Sequence, residues 1–232
     1  MGASLWLVVT ADVIRSRRLT PQAEAQERIV TALAAFNQSP ILGVDRSHLA
    51  TKFTLGRGDE IQGVLAATAP LLPILRHLRY ALQPARLRIG VGLGTIETPI
   101  NPESSWQMDG PAFHLVRTAL EELGHTVLPR TRLRIGIRYW LDEEQRVERE
   151  LNALLSLYDE ITRRWTTEQW HAVMAVEETR TLRASADILG VAKQNVHKRL
   201  RAAGWGPVQE AEALVTAEPN RLLGYLSSPA PG

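Results

Sequence analysis

Hydrophobic positions change their period several times along the chain, and each change predicts an element. Leu5-Trp6-Leu7-Val8-Val9 is an unbroken apolar run ending at Thr10-Ala11-Asp12, which predicts a buried central strand with a carboxylate at its C-terminal end. After Thr20-Pro21, with proline in a tolerated first-turn position, Ala25, Ile29, Leu33 and Phe36 share one helical face. Residues 37–50 read as a loop. Phe53 and Leu55 then alternate with polar partners, as do Ile61, Gly63 and Leu65, on either side of Gly56-Arg57-Gly58-Asp59. That pattern is strand, tight turn, strand, because glycine supplies positive φ without steric cost. Pro70 opens a second helix with Leu71, Leu75, Leu78 and Leu82 facing inward. Residues 87–94 form the next strand, whose glycines admit close approach of another backbone or a ligand. A loop with two prolines follows, and Gly110-Pro111 begins a third helix carrying Leu115, Ala119 and Leu123. Val127-Leu128 and Leu133-Arg134-Ile135 predict a last, short strand pair.

The order β-α-β-β-α-β-α-β predicts an α+β fold: an antiparallel or mixed sheet covered by helices. A doubly wound fold would need a helix between every pair of strands, and the hairpin denies it. From Leu141 the pattern is wholly helical, with Leu151, Leu154, Leu155, Tyr158 and Ile161 on one side. The expected division is therefore 1–140, an α+β domain; 141–165, a connector or pairing helix; and 166–232, a helical domain ending in a loose tail.

The helical part carries the most specific local signal. Ala186, Gly190 and Val196 occupy the small, turn and buried positions of a helix-turn-helix, and residues 168–178 supply a preceding helix. Val196 and Leu200 would pack inward. Lys193, Gln194, Asn195, His197, Lys198 and Arg201 would face out, the cations toward phosphates and the amides toward adenine edges. A helical hairpin used for oligomerisation would share this pattern, its basic face merely solvated. Trp165, Trp170 and Trp205 are expected as core anchors, and His171 as an ordinary polar residue.

Composition narrows the chemistry. The 232 residues contain no cysteine, which excludes disulfides, thiolate zinc sites and cysteine nucleophiles. The formal charge of +2 does not by itself demand nucleic acid, so its distribution carries the argument. No basic stretch precedes a long apolar run, so a cytoplasmic location without membrane attachment is expected. Arg57-Gly58-Asp59 spells an adhesion tripeptide, but nothing else suggests secretion; Gly90, Gly92 and Gly94 lack dinucleotide-fold spacing.

Two acidic positions remain: Asp12 after the first strand, and Asp59 with Glu60 at the hairpin tip. If the first strand neighbours the hairpin they converge, and such carboxylates can hold Mg²⁺ or Mn²⁺ together with nucleotide phosphates. Taken singly, Asp12 reads first as a turn cap and Asp59-Glu60 as a solvated turn; it is their convergence that points to a site. Arg15, Ser16 and Arg17 after Asp12 are candidate phosphate ligands, and Arg57, Arg88 and Arg117 are candidate cations.

The Gly58-Asp59-Glu60 turn, followed by Ile61, resembles the signature turn of GGDEF diguanylate cyclases, with Gly56-Arg57 departing from the double glycine. Gly110-Pro111-Ala112-Phe113 ahead of Arg117 is similar to a helix start in class III adenylyl cyclases; His114 stands at the asparagine-like place and Arg117 one residue short. A closer resemblance is to the SatD family. Thr10-Ala11-Asp12-Val13-Ile14-Arg15-Ser16-Arg17 resembles its N-terminal signature, and Phe53 to Gln62 its central Gly-Asp-x-x-Gln block. The resemblance implies a ferredoxin-like, nucleotide-cyclase-type palm fused to a DNA-binding helix-turn-helix. Metal ligands would be Asp12, Asp59 and Glu60, and nucleotide contacts Ser16, Arg17, Arg57, Gly58 and Arg117. Two readings follow: a nucleotide-responsive DNA-binding regulator, or an active nucleotidyl cyclase or nucleotidyltransferase. Either is expected as a homodimer, since cyclase sites and palindromic DNA sites both call for two copies.

Overall fold

Strand β1 (Leu5–Val13) is the middle of a five-stranded mixed sheet of order β2–β3–β1–β4–β5. The computed structural model describes residues 4–14, 22–43, 46–56, 58–136 and 141–227. The expected helix start at Thr20-Pro21 and the tail from 228 onward lie outside the described residues. The hairpin strands β2 (Leu49–Leu55) and β3 (Glu60–Ala66) lie on one side of β1; β4 (Leu87–Thr95) and β5 (Arg130–Ile135) lie on the other. β1 runs antiparallel to β3 and β4, and β5 runs parallel to β4. The fold is α+β, with this sheet and eight α-helices among the described residues. Among them, no helix is long and apolar enough to cross a membrane.

The apolar run of β1 is explained by its two covered faces. Leu5, Leu7, Val9, Ala11 and Val13 point into the main core, with Ile29, Leu33 and Phe36 of α1 (Gln22–Phe36) and the apolar face of α2 (Leu71–Ala81). Val8 points the other way, into a smaller cluster with Val64, Met108, Ala112 and Val116 under α3 (Pro111–Leu123). Since side chains alternate, Thr10 and Asp12 share that second face, beyond the end of its apolar cluster. Glycine sets how closely α3 approaches: a Cβ on Gly92 would lie 2.2 Å from the Ala112 carbonyl oxygen, and one on Gly90 2.7 Å from that of Val116.

Two expectations are corrected. The segment 37–50 is not all loop: Pro40–Leu42 forms a 3₁₀ turn and β2 begins at Leu49. The last strand pair is a single strand, β5, while Val127 is exposed. The helix α3 crosses over and sets β5 parallel beside β4, leaving two residues at 127–128 with nothing to pair against.

The helix α4 (Leu141–Thr162) runs along β5 and closes that edge with side chains. Glu148 Oε2 accepts from Ile135 N at 2.7 Å. Asn152 accepts from Leu133 N at 2.9 Å and donates to Leu133 O at 2.8 Å. Asp159, fully buried, accepts from Thr131 N and from Arg79, the latter at 2.5 Å. Outward-facing backbone groups of residues 131, 133 and 135 thus find partners without another strand.

The remaining helices are α5 (Thr167–Thr179), α6 (Leu182–Leu189), α7 (Lys193–Ala202) and α8 (Trp205–Ser227). Thr166 and Gln169 form a capping box that starts α5, and Gly190 ends α6 in the left-handed region at φ 63°. Trp165, Trp170 and Trp205 are buried, Trp165 lying edge-on to each of the other two, and the main core runs on through them and through Val196 and Leu200.

Arg76 of α2 joins the sheet to these helices. It is 1% exposed, pairs with Glu177 of α5 and with Glu212 of α8 at 2.7 Å, and lies 4.8 Å from the Trp205 ring centroid. The Tyr158 hydroxyl donates to Glu212 at 2.8 Å, and His77 meets Glu177 at 2.9 Å. Burial alone would raise the Glu177 pKa, but hydrogen bonds and charge from His77 and Arg76 outweigh it and bring the value from 4.5 to about 2. A carboxyl held below its unfolded value stabilises the fold above that value, and the contribution fades as pH falls from about 4.5 toward about 2. Urea unfolding should therefore show roughly 3 kcal/mol of acid sensitivity in this window, reduced in Glu177→Gln. Equal acid sensitivity in both proteins would contradict it.

Candidate functional site

Beyond the apolar cluster under α3, the sheet face opens into a cavity of about 560 Å³. Thr10 and Asp12 of β1, Glu60 and Gln62 of β3, and Arg88 of β4 line its sheet side. Trp106 and Met108 from the loop, and Phe113, Arg117 and His125 from α3 and beyond, line the other. Strand register places these groups together: Asp12 lies opposite Glu60 on one neighbour and opposite Arg88 on the other. Arg88 pairs with Asp12 and donates to the Gly124 carbonyl. Its Nε is buried without a hydrogen-bond partner among the described residues. Gln62 is held at both ends of its amide, donating to Thr10 Oγ1 at 3.0 Å and accepting from Ser105 Oγ at 2.9 Å.

Of the residues expected at a nucleotide site, Asp12, Glu60 and Arg117 line this cavity. Asp59 is not among the lining residues; its carbonyl accepts from Val13 N at 3.2 Å, tying the hairpin to the end of β1. Gly58 is exposed at the tip, at φ +92°. Ser16, Arg17 and Arg57, with Arg15, lie outside the described residues. Among the described residues, no group of three or more His, Cys, Asp or Glu is gathered so as to hold a metal ion. The Arg88–Asp12 pair is hidden in the sequence, because residues so far apart along the chain meet only once strand order is known. Gln62 closes the Gly-Asp-x-x-Gln block that the family resemblance singled out, though not as a lining residue; for Trp106 the one visible signal is a lone tryptophan in a polar loop.

The second feature is the outer face of α7. Lys193, Gln194, Asn195, His197, Lys198 and Arg201 are all exposed, while Val196 and Leu200 are buried. Among the described residues, Lys193, Lys198 and Arg201 take part in no ion pair. His197, Lys198 and Arg201 border a shallow surface depression. The three-residue turn between α6 and α7 begins at Gly190, as its left-handed conformation requires.

No match is found among curated proteins. Among solved structures, a regulator of polyketide synthase expression from Bifidobacterium adolescentis is similar, at 15% identity over 98% of this chain and 83% of that one. Its TM-score of 0.24 is too low to carry an argument about fold or function. The SatD family model matches residues 6–206 of the 232, and the chain belongs to the SatD family.

Proposed function

We propose that the protein is a DNA-binding regulator, with α7 as the helix offered to duplex DNA and the cavity under α3 as a nucleotide site that senses a ligand. The observation that carries this reading is the α6–turn–α7 unit: eight residues, a three-residue turn, then ten residues with an apolar inner face and six polar or basic outer side chains. Such a helix fits a major groove, with its cations on phosphates and its amides on base edges. A β-α-β-β-α-β order with Asp12 and the hairpin tip at one sheet end supports a ferredoxin-like, cyclase-type palm for the first part.

In the cavity, Arg88 and Arg117 are the cations for a phosphate group, and the orphaned Arg88 Nε is a donor in want of an acceptor. Where Mg²⁺ or Mn²⁺ accompanies the nucleotide, Asp12 and Glu60 would hold it, and its charge would neutralise the phosphates. Occupancy would shift the spacing of two copies of α7 in a homodimer, whose mass light scattering reads directly. The facing Asp12 and Glu60 favour a second reading, a nucleotidyl cyclase or nucleotidyltransferase. Mass spectrometry after incubation with ATP or GTP and Mn²⁺ separates the two: a new product, absent with Asp12→Ala, would establish the enzyme.

Calorimetry with ATP and GTP in Mg²⁺ tests the sensor. Arg117→Ala, at an exposed position on α3, should weaken nucleotide binding about tenfold, as loss of one charged hydrogen bond implies. Selection from a random duplex library tests the DNA half; absence of enrichment over salt-sensitive background binding would refute it.

A further inference from the structure

Trp106 is 36% exposed on the wall of the cavity, yet it is fixed in place. Its Nε1 donates to Thr54 Oγ1 at 3.0 Å. Its ring lies so close to Gly56 that a Cβ there would fall 2.3 Å from a ring atom, so only glycine leaves room for this seat. The loop that carries it is tied down on both sides. Lys52 N donates to the Pro102 carbonyl at 2.9 Å, the Lys52 ammonium pairs with Glu103 at 2.5 Å, and the adjoining Ser105 hydroxyl holds Gln62.

An indole has one donor, and here it is already taken, so Trp106 can offer a ligand only its ring. A large aromatic held rigid, with its polar tip satisfied inside the protein, binds a flat ring with little ordering cost. Met108 and Phe113 extend the apolar wall beside it, whereas Arg88 and Arg117 supply positive charge in the same cavity. The lining is thus of two kinds, one suited to a ring and one to an anion.

We infer that Trp106 is a stacking platform, and that the ligand of this cavity is a flat heteroaromatic ring carrying an anionic group, not a bare anion. This deepens the nucleotide reading above and rests on it for the identity of the anionic group. Trp106 acts as a specificity-determining residue: it selects ligands with a ring, and Gly56 is the residue that seats it.

Calorimetry on the full chain tests this with three probes: ATP or GTP, the corresponding nucleoside without phosphate, and inorganic tripolyphosphate without a ring. Trp106→Leu, which keeps an apolar cover over Gly56, should weaken nucleotide and nucleoside binding by roughly tenfold, within the range of one base stacked on one aromatic. Tripolyphosphate binding should stay unchanged, which also shows that the variant is folded. Trp106→Phe should recover most of the loss, and Gly56→Ala should reproduce it. The platform is overturned if Trp106→Leu leaves nucleotide affinity unchanged, if wild-type protein binds tripolyphosphate as tightly as nucleotide, or if neither nucleotide nor nucleoside binds. If the nucleoside binds through Trp106 and phosphates add nothing, the platform stands and the nucleotide reading falls.

Discussion

Arg76→Ala is expected to lower the free energy of unfolding by about 3–5 kcal/mol, the usual consequence of removing one partner of a buried ion pair. The residue lies on α2 with its side chain fully enclosed, and its guanidinium answers two carboxylates at once. Its removal leaves Glu177 and Glu212 in their buried surroundings without the cation, and leaves Trp205 without the charge over its ring. Glu177 would lose one of the two partners that hold its pKa down, so the variant should lose less stability than the wild type as pH falls below about 4.5. Urea denaturation at pH 7, and again within the acid window between about 4.5 and 2, reads both effects. Neutralising the partners as well, in Arg76→Met with Glu177→Gln and Glu212→Gln, should return much of the loss, because an apolar or neutral replacement of a whole buried cluster is often tolerated. A loss below about 1 kcal/mol in Arg76→Ala would place the cluster among ordinary surface pairs.

The second large effect is expected on DNA. Lys198→Ala with Arg201→Ala should leave the fold intact, since both side chains are exposed and take part in no ion pair among the described residues; stability should stay within about 0.5 kcal/mol. Affinity for duplex DNA should fall at every sequence, and the slope of log affinity against log salt should become shallower by about 2, one for each phosphate no longer neutralised. Asn195→Ala should act differently. Its effect should be confined to preferred sequences, about 1–3 kcal/mol of discrimination if the amide reads an adenine edge. Fluorescence anisotropy across a salt series distinguishes the two patterns. An unchanged slope in the double variant would remove α7 from the interface.

Much of the architecture is legible in the sequence because it rests on local rules. The β1 run, the glycine turn of the hairpin, Gly110-Pro111 at the start of α3 and Gly190 after α6 are short-range signals, and each element stands where they put it. What cannot be read depends on contacts between distant segments. Arg76 and Arg79 look like solvated positions on an amphipathic helix; they are buried because α5, α8 and α4 cover the outer side of α2. Glu148, Asn152 and Asp159 look like the polar face of a surface helix, and nothing in their spacing announces that they meet the backbone of β5. The site is half legible for the same reason. Asp12 and Glu60 follow from the hairpin lying beside β1, whereas Arg88 as the partner of Asp12 requires knowing that β4 lies on the opposite flank.

The amides of Asn152 and Asn37 have a joint consequence for assembly. Asn152 occupies both backbone groups of Leu133, and Asn37 does the same for Phe53, accepting from its N and donating to its O at 2.9 Å each. Both outermost strands are therefore blunted by the chain itself, one at each margin, and a foreign strand laid alongside would have to evict an asparagine before gaining a rung. Growth into a continuous ribbon of sheet is thereby obstructed at both of these margins.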